Sequence, residues 1–399
     1  MKIHSFKWMM AGALMVASLA GCGGGGGTTP QASTTTINGT ASAGIIYPGT
    51  VNVYAVNASG TKGALLGSAS TSIDGKYSVS LGAYSGAVAV EASGTYTDEA
   101  TGHAVTLTTA KPLHAMVDAV DNSTKNNKVV AVTPLTDLAW RKASTNGTAV
   151  TPPAAMVTAN KLVSDLFKIS DIVSIEPVRP DNGSMGSSGS QEAQAYTLAL
   201  AAISRMASTA TGATDNDKLE ATLNSMETEV EGAETSGSMS SSMSGSFTTA
   251  LGAVTLSSDF PSAANQLSAM GKASQTLTLA TSGSLPAGVK IYAVEGTISI
   301  PANVSLRVES NGKTLDDVFL LAGIAAGMGS NPVANYLAPQ QEMNFSIVLN
   351  QGIGIGDFAT LKYDVATGAT VANSDFALVI SSVKDSNGAD ITGVTVILK

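Results

Sequence analysis

The chain has 399 residues, a net charge of −9 at pH 7, 13% charged and 5% aromatic side chains, and a single cysteine. An acidic chain without a basic face lacks the footprint that phosphate backbones require, so nucleic acid is excluded as a partner. One cysteine excludes an internal disulfide, an iron–sulfur cluster and c-type haem attachment, and the length implies two or three domains.

The first element is a signal sequence. Lys2 and Lys7 precede an apolar run over residues 8–20, and small residues lead into Cys22. That layout is a secretory signal peptide over residues 1–21, whose apolar run is too short to span a bilayer as a mature helix. The stretch "LAGC", Leu19 to Cys22, resembles the lipobox of bacterial lipoproteins. The resemblance implies that the Cys22 thiol is diacylglycerated, that the chain is cut before Cys22 and that the new amine is acylated. Each buried CH₂ contributes about 0.8 kcal/mol, so several acyl chains make a lasting anchor. Gly23 follows, not aspartate, so the resemblance implies an outer-membrane or cell-surface location. Residues 22–36, rich in glycine and threonine, read as a flexible tether.

Residues 37–125 read as an all-β sandwich. Val51, Val53 and Ala55 alternate, as do Tyr77, Val79 and Leu81, and Val88, Val90 and Ala92. Asp74-Gly75 is a hairpin signal between two runs. The order "INGTASA", "GTVNVYAV", "IDGKYSVS" resembles the prealbumin-like, carboxypeptidase-regulatory type of sandwich, which implies a spacer or folding unit without catalysis. Asp98 and Glu99 are adjacent carboxylates in a polar loop, where the spacing favours a solvated turn over a calcium site.

Residues 126–283 read as mainly helical. Thr133 caps a helix with Pro134 in its first position and Leu135, Leu138 and Ala139 on one face. Trp140 packs this helix on a neighbour. Thr151-Pro152 starts a second helix with Met156, Ala159, Val163, Leu166 and Phe167 at helical spacing. Tyr196, Ala199, Leu200, Ile203, Met206 and Ala207 form a third stripe. Leu219, Leu223, Met226 and Val230 form a fourth, and Phe247, Leu251 and Val254 a shorter one. Two serine-rich stretches, "DNGSMGSSGS" and "TSGSMSSSMSGS", read as flexible linkers.

Residues 284–399 return to β periodicity, with Phe345, Ile347, Leu349, then Phe358, Thr360, Lys362, then Phe376, Leu378, Ile380. This is a second β-sandwich of jelly-roll type. The opening "VEGTISIP", the glycine-rich "GIGIGDFATLKYDV" and the closing "DFALVISSVKDSNGADITGVTVIL" resemble a cohesin-like domain. Cohesins bind dockerin modules on other proteins, so the resemblance implies a protein partner. Their fold is also related to carbohydrate-binding sandwiches.

Chemical signatures are sparse. His103 and His114 share no metal-ligand spacing. No nucleophile elbow is present. "NGKT" lacks the earlier glycine of a phosphate loop, because Arg307 stands there. "GIGIG" runs into Asp357 instead of a third glycine. Asp385, Asn387 and Asp390 are calcium candidates, although the segment lacks the spacing and closing glutamate of an EF-hand, which favours a plain turn. Tyr292, Tyr336 and Tyr363 are the candidates for stacking on sugar. The fold expectation is therefore a multidomain chain with two all-β sandwiches separated by a mainly α-helical region. The functional expectation is a lipid-anchored, non-catalytic binding or scaffold protein that needs no cofactor. Polysaccharide binding, a purely structural surface role and polysaccharide hydrolysis are the alternatives.

Overall fold

The computed structural model describes residues 34–98, 101–121, 127–144, 152–179, 189–254, 260–272, 274–309, 311–330, 332–365 and 369–399. Cys22, Glu99 and most of "DNGSMGSSGS" lie outside them. The chain is multidomain, with two β-sandwiches and a helical region between them.

In the first sandwich, β1 (Thr36–Thr40) lies between β4 (Lys76–Ser80) and β8 (Asn127–Val129). The facing sheet runs β3 (Lys62–Ser70), β2 (Gly49–Val56) and β5 (Gly86–Thr97). Both β6 (Ala104–Leu107) and β7 (Leu113–Val120) pair with β5. The alternation expected from the sequence is realised: Val51, Val53, Tyr77, Val79, Leu81, Val88, Val90 and Ala92 are all buried. Three expectations are corrected. The Asp74-Gly75 turn forms, with Gly75 at φ +70, but it joins strands of different sheets, because β4 pairs with β1 and not with β3. The tether ends earlier than residue 36, since the Thr35 amide donates to the Gly82 carbonyl at 2.9 Å and Thr36 begins β1. The sandwich also extends past residue 125, since β8 pairs in parallel with β1.

Among the described residues the α-helices are α1 (Pro134–Ala143), α2 (Pro153–Phe167), α3 (Gln191–Ser208), α4 (Asp215–Ser236), α5 (Ser241–Gly252) and α6 (Pro261–Gln266). Thr133 caps α1 as its sequence requires, accepting from the Leu135 and Thr136 amides with Pro134 behind it. The stripes expected for α2 and α4 are buried in full. The stretch "TSGSMSSSMSGS" is no linker. It ends α4 at a left-handed Gly237 and starts α5 behind the cap Ser240, while Met239 and Met243 are buried. Serine there caps helices, and methionine supplies the apolar anchor that a serine-rich composition hides. The helices and the first sandwich share one continuous core, from Ile37 through Trp140 and Tyr196 to Met270. The Tyr196 hydroxyl ties them, within 2.7 Å of Thr133 Oγ1 and donating to the Ile172 carbonyl at 2.8 Å.

The second sandwich has its own core, from Leu277 to Val383. One sheet runs β13 (Val333–Leu337), β14 (Glu342–Ile353), β10 (Ile291–Ser299), β16 (Ala377–Lys384). The other has β15 (Asp357–Val365) and β17 (Val394–Leu398) on either side of β9 (Gln275–Gly283). Short β11 (Val304–Ser305) and β12 (Phe319–Leu321) lie on the far side of β15. The domain start expected at 284 is therefore too late. Strand β9 precedes it and supplies the middle of a sheet, with Leu277 and Leu279 fully buried. The Phe358-Thr360-Lys362 face is also corrected. Phe358 stays in the core, but a register shift between Asp357 and Ala359 turns Ala359, Leu361 and Tyr363 inward in place of Thr360 and Lys362.

Candidate functional site

The side of the four-stranded sheet turned away from the core is open. Its inner positions are filled by Ala334, Met343, Phe345, Ile347, Val294 and Ile298. Strand alternation then turns the neighbours outward: Val333, Asn335 and Leu337 on β13, Asn344, Ser346 and Val348 on β14, Glu295 and Thr297 on β10, and Val379 and Ser382 on β16. Val348 and Val379 are 62% and 64% exposed, and Val333 and Leu337 are exposed beside them. At strand spacing, four strands present a face about 15 Å across.

The polar centre of this face is fixed by its own side chains. Glu295 accepts from Ser346 Oγ at 3.1 Å through one oxygen and from Ser382 Oγ at 3.2 Å through the other. Thr297 Oγ1 donates to Asn344 Oδ1 at 2.7 Å. The result is an ordered polar ladder flanked by apolar side chains, with one central carboxylate. Lys384 at the margin is engaged by Asp390 at 2.7 Å.

The sequence candidates fall elsewhere. Tyr363 is buried, meets Phe376 edge-on at 5.0 Å between centroids and donates to Gln275 Oε1 at 3.0 Å. Tyr336 is half-buried on the core side of β13, and burial pushes its hydroxyl above the usual tyrosine range. Tyr292 is half-buried against Gly352, where an added Cβ would stand 2.5 Å from its ring. The three tyrosines form no exposed row. Asp385 caps its own turn by accepting from the Asn387 and Ala389 amides at 2.8 and 2.9 Å, and these hydrogen bonds hold its carboxyl below the usual range. With Asp390 committed to Lys384, the trio makes a β-turn. No cluster of three or more His, Cys, Asp or Glu side chains suited to a metal occurs among the described residues. Asp98 holds its loop against α3, accepting from Ser204 Oγ at 2.6 Å and from the Thr101 amide at 2.9 Å.

No family profile matches the chain, and no curated protein matches it. One solved structure, a type II cohesin (Cohesin A11) from Bacteroides cellulosolvens, is similar over 31% of this chain and 78% of its own, with 8% sequence identity and a TM-score of 0.20.

Two further constellations are invisible in the sequence. In the first, β7 and α1 bring His114, Asp137, Trp140 and Arg141 together. The fully buried Asp137 accepts from His114 Nδ1 at 2.7 Å and from Arg141 Nε at 2.6 Å, and Trp140 stacks on the imidazole at 4.7 Å. Burial alone would raise the Asp137 carboxyl, but His114 and Arg141 outweigh it and hold it below the ordinary range. Arg141 continues to Glu220 at 2.9 Å and Asn224 at 2.6 Å on α4. The cluster staples strand to helix to helix, and His114 and Trp140 belong to it.

The second constellation joins the helical region to the C-terminal sandwich. Lys168, at the end of α2, reaches Asp364 on β15 at 2.6 Å. Lys362 pairs with Asp165 and, at 3.1 Å, with Asp317, which also binds Arg307. Burial alone would raise the Asp165 carboxyl, but Lys362 and Lys161 hold it down. Gln191 Nε2 donates to the Val308 carbonyl at 2.7 Å. These ties fix the sandwich on the helices and leave its four-stranded face free.

Proposed function

We propose that the protein is a lipid-anchored envelope scaffold whose C-terminal, cohesin-like sandwich docks another protein through the outer face of its four-stranded sheet. One observation carries this reading. Val333, Leu337, Val348 and Val379 stand exposed around a pre-ordered polar centre, and partner surfaces with few charges and apolar anchors are built that way. The polysaccharide reading is less well supported, because stacking on sugar needs exposed aromatic side chains and the candidate tyrosines are packed inward or half-buried. The role is non-catalytic. Cys22 carries the lipid, and the protein belongs to the outer membrane or cell surface.

The test is co-purification from native envelope with quantitative mass spectrometry. Val348→Asp with Val379→Asp loses the partner, while Ile397→Asp on the opposite sheet retains it. Equal retention by both variants removes the face from consideration, and concentration-dependent self-association of the purified chain with no second protein favours the structural role. Cys22→Ser moves the protein from the membrane pellet to the soluble fraction if the anchor is right.

A further inference from the structure

Beyond docking, the joint itself holds reactive groups. Lys168 ends α2 at φ 60 and ψ 27, and is one of only two non-glycine residues with positive φ among the described residues. That position selects glycine, since a side chain there costs backbone energy. The chain nevertheless places a lysine at this point, and the destination of its side chain supplies the reason. The side chain is fully buried, and its Nζ stands 2.6 Å from Oδ1 of Asp364, which is itself buried.

The surrounding hydrogen bonds suit an amide better than an ion pair. The ammonium carries three N–H bonds, yet among the described residues it has two acceptors, Asp364 Oδ1 and the Lys272 carbonyl. Ser274 Oγ donates to Asp364 Oδ1 at 2.6 Å. An amide has one N–H and one carbonyl, and the Lys272 carbonyl and the Ser274 hydroxyl already stand where those need partners. Condensation also removes two charges from a site where holding them is costly.

We propose that Lys168 and Asp364 condense into an isopeptide bond that cross-links the helical region to the C-terminal sandwich. One proton crosses the contact from ammonium to carboxylate, giving amine and carboxylic acid. Nζ then bonds to the Asp364 Cγ. One Cγ–O bond breaks, and the departing oxygen leaves as water with its own proton and one from the amine. No oxidant or co-reactant is needed. Burial lowers the Lys168 amine below the ordinary lysine range, although the Asp364 carboxylate opposes this, and so favours the neutral nucleophile. Holding two reactants in contact is worth an effective concentration of roughly 10⁵ M or more. Exclusion of water keeps the product from hydrolysing.

The deciding experiment is a protease digest of the full-length wild-type chain after complete denaturation, read by tandem mass spectrometry. The expected product is a branched peptide joining the Lys168 and Asp364 segments, lighter by one water than the two linear peptides together. It is absent from Lys168→Arg. Recovery of only the linear peptides, with trypsin cutting after Lys168, overturns the proposal. The wild-type digest decides this whether or not the variant folds.

Discussion

The two sandwiches solve the same packing problem differently. The first gives its interior to the helices: Ile37, Leu135, Trp140 and Tyr196 belong to one core, and the cross-ties are hydroxyls and a stapled histidine. The second keeps a separate core and meets the helices through polar side chains, Lys168 with Asp364 and Lys362 with Asp165 and Asp317. A shared apolar core merges two units into one. A polar joint sets orientation while the two cores stay separate, and it leaves a whole sheet face uncovered for another molecule.

That contrast is broken most severely by cutting at the wrong place. A fragment of residues 284–399 lacks β9, which pairs with both β15 and β17 and buries Leu277 and Leu279. It is expected to be unfolded by circular dichroism and rapidly degraded by protease. The second largest effect is at the joint. Lys168→Met leaves the Asp364 carboxylate buried without its nitrogen partner, ionic or amide, a loss of at least about 3–5 kcal/mol, seen as a lower denaturant midpoint. Adding Asp364→Leu recovers much of that loss, because a pair of apolar side chains needs no partner.

The sequence shows one side of this contrast far better than the other. Period-two alternation located the sandwich faces, and helical spacing located the buried stripes of α2 and α4, because both patterns are local. The joint is not local. Lys168 and Asp364 are far apart in the chain, and nothing in "FKIS" or "KYDV" says they meet. Strand β9 escaped because "QTLTLATSG" follows helical segments closely. The Phe358 face was misread because a bulge changes the period by one residue, which flips every side chain after it. The docking face was half legible. Its buried half is a clean run of Phe345, Ile347 and Leu349, but the outward half depends on which strands stand side by side.

On the merged side, the staple is titratable. Asp137 has its carboxyl held below the usual carboxylate range by His114 and Arg141, so the folded state binds fewer protons than the unfolded chain there. The stability this supplies is present above about pH 4 and is lost as pH falls through the folded value. Asp137→Asn is expected to cost about 1.5–3 kcal/mol at neutral pH, the worth of hydrogen bonds to charged partners. The gap between variant and wild type narrows as pH is lowered toward 3. A gap that stays constant across that range would show that the carboxylate charge is not what stabilises the staple. The joint tests the same point on the other side, since Asp165 is also held low by its cations.

The smallest effect on stability is expected where the functional effect is largest. Val348 and Val379 make no core contact that an aspartate would remove, being 62% and 64% exposed, and surface changes of this kind usually stay within about 0.5 kcal/mol. Two new carboxylates beside Glu295 nevertheless turn an apolar margin with one central anion into a cluster of three like charges. Any partner matched to that margin would then leave charges unpaired on docking, a penalty far larger than the lost apolar area. Unchanged unfolding with abolished docking is the signature of a surface kept for a partner. If the double variant instead unfolds well below wild type, the exposed valines contribute to the sheet itself, and the contrast between the two sandwiches is weaker than their cores suggest.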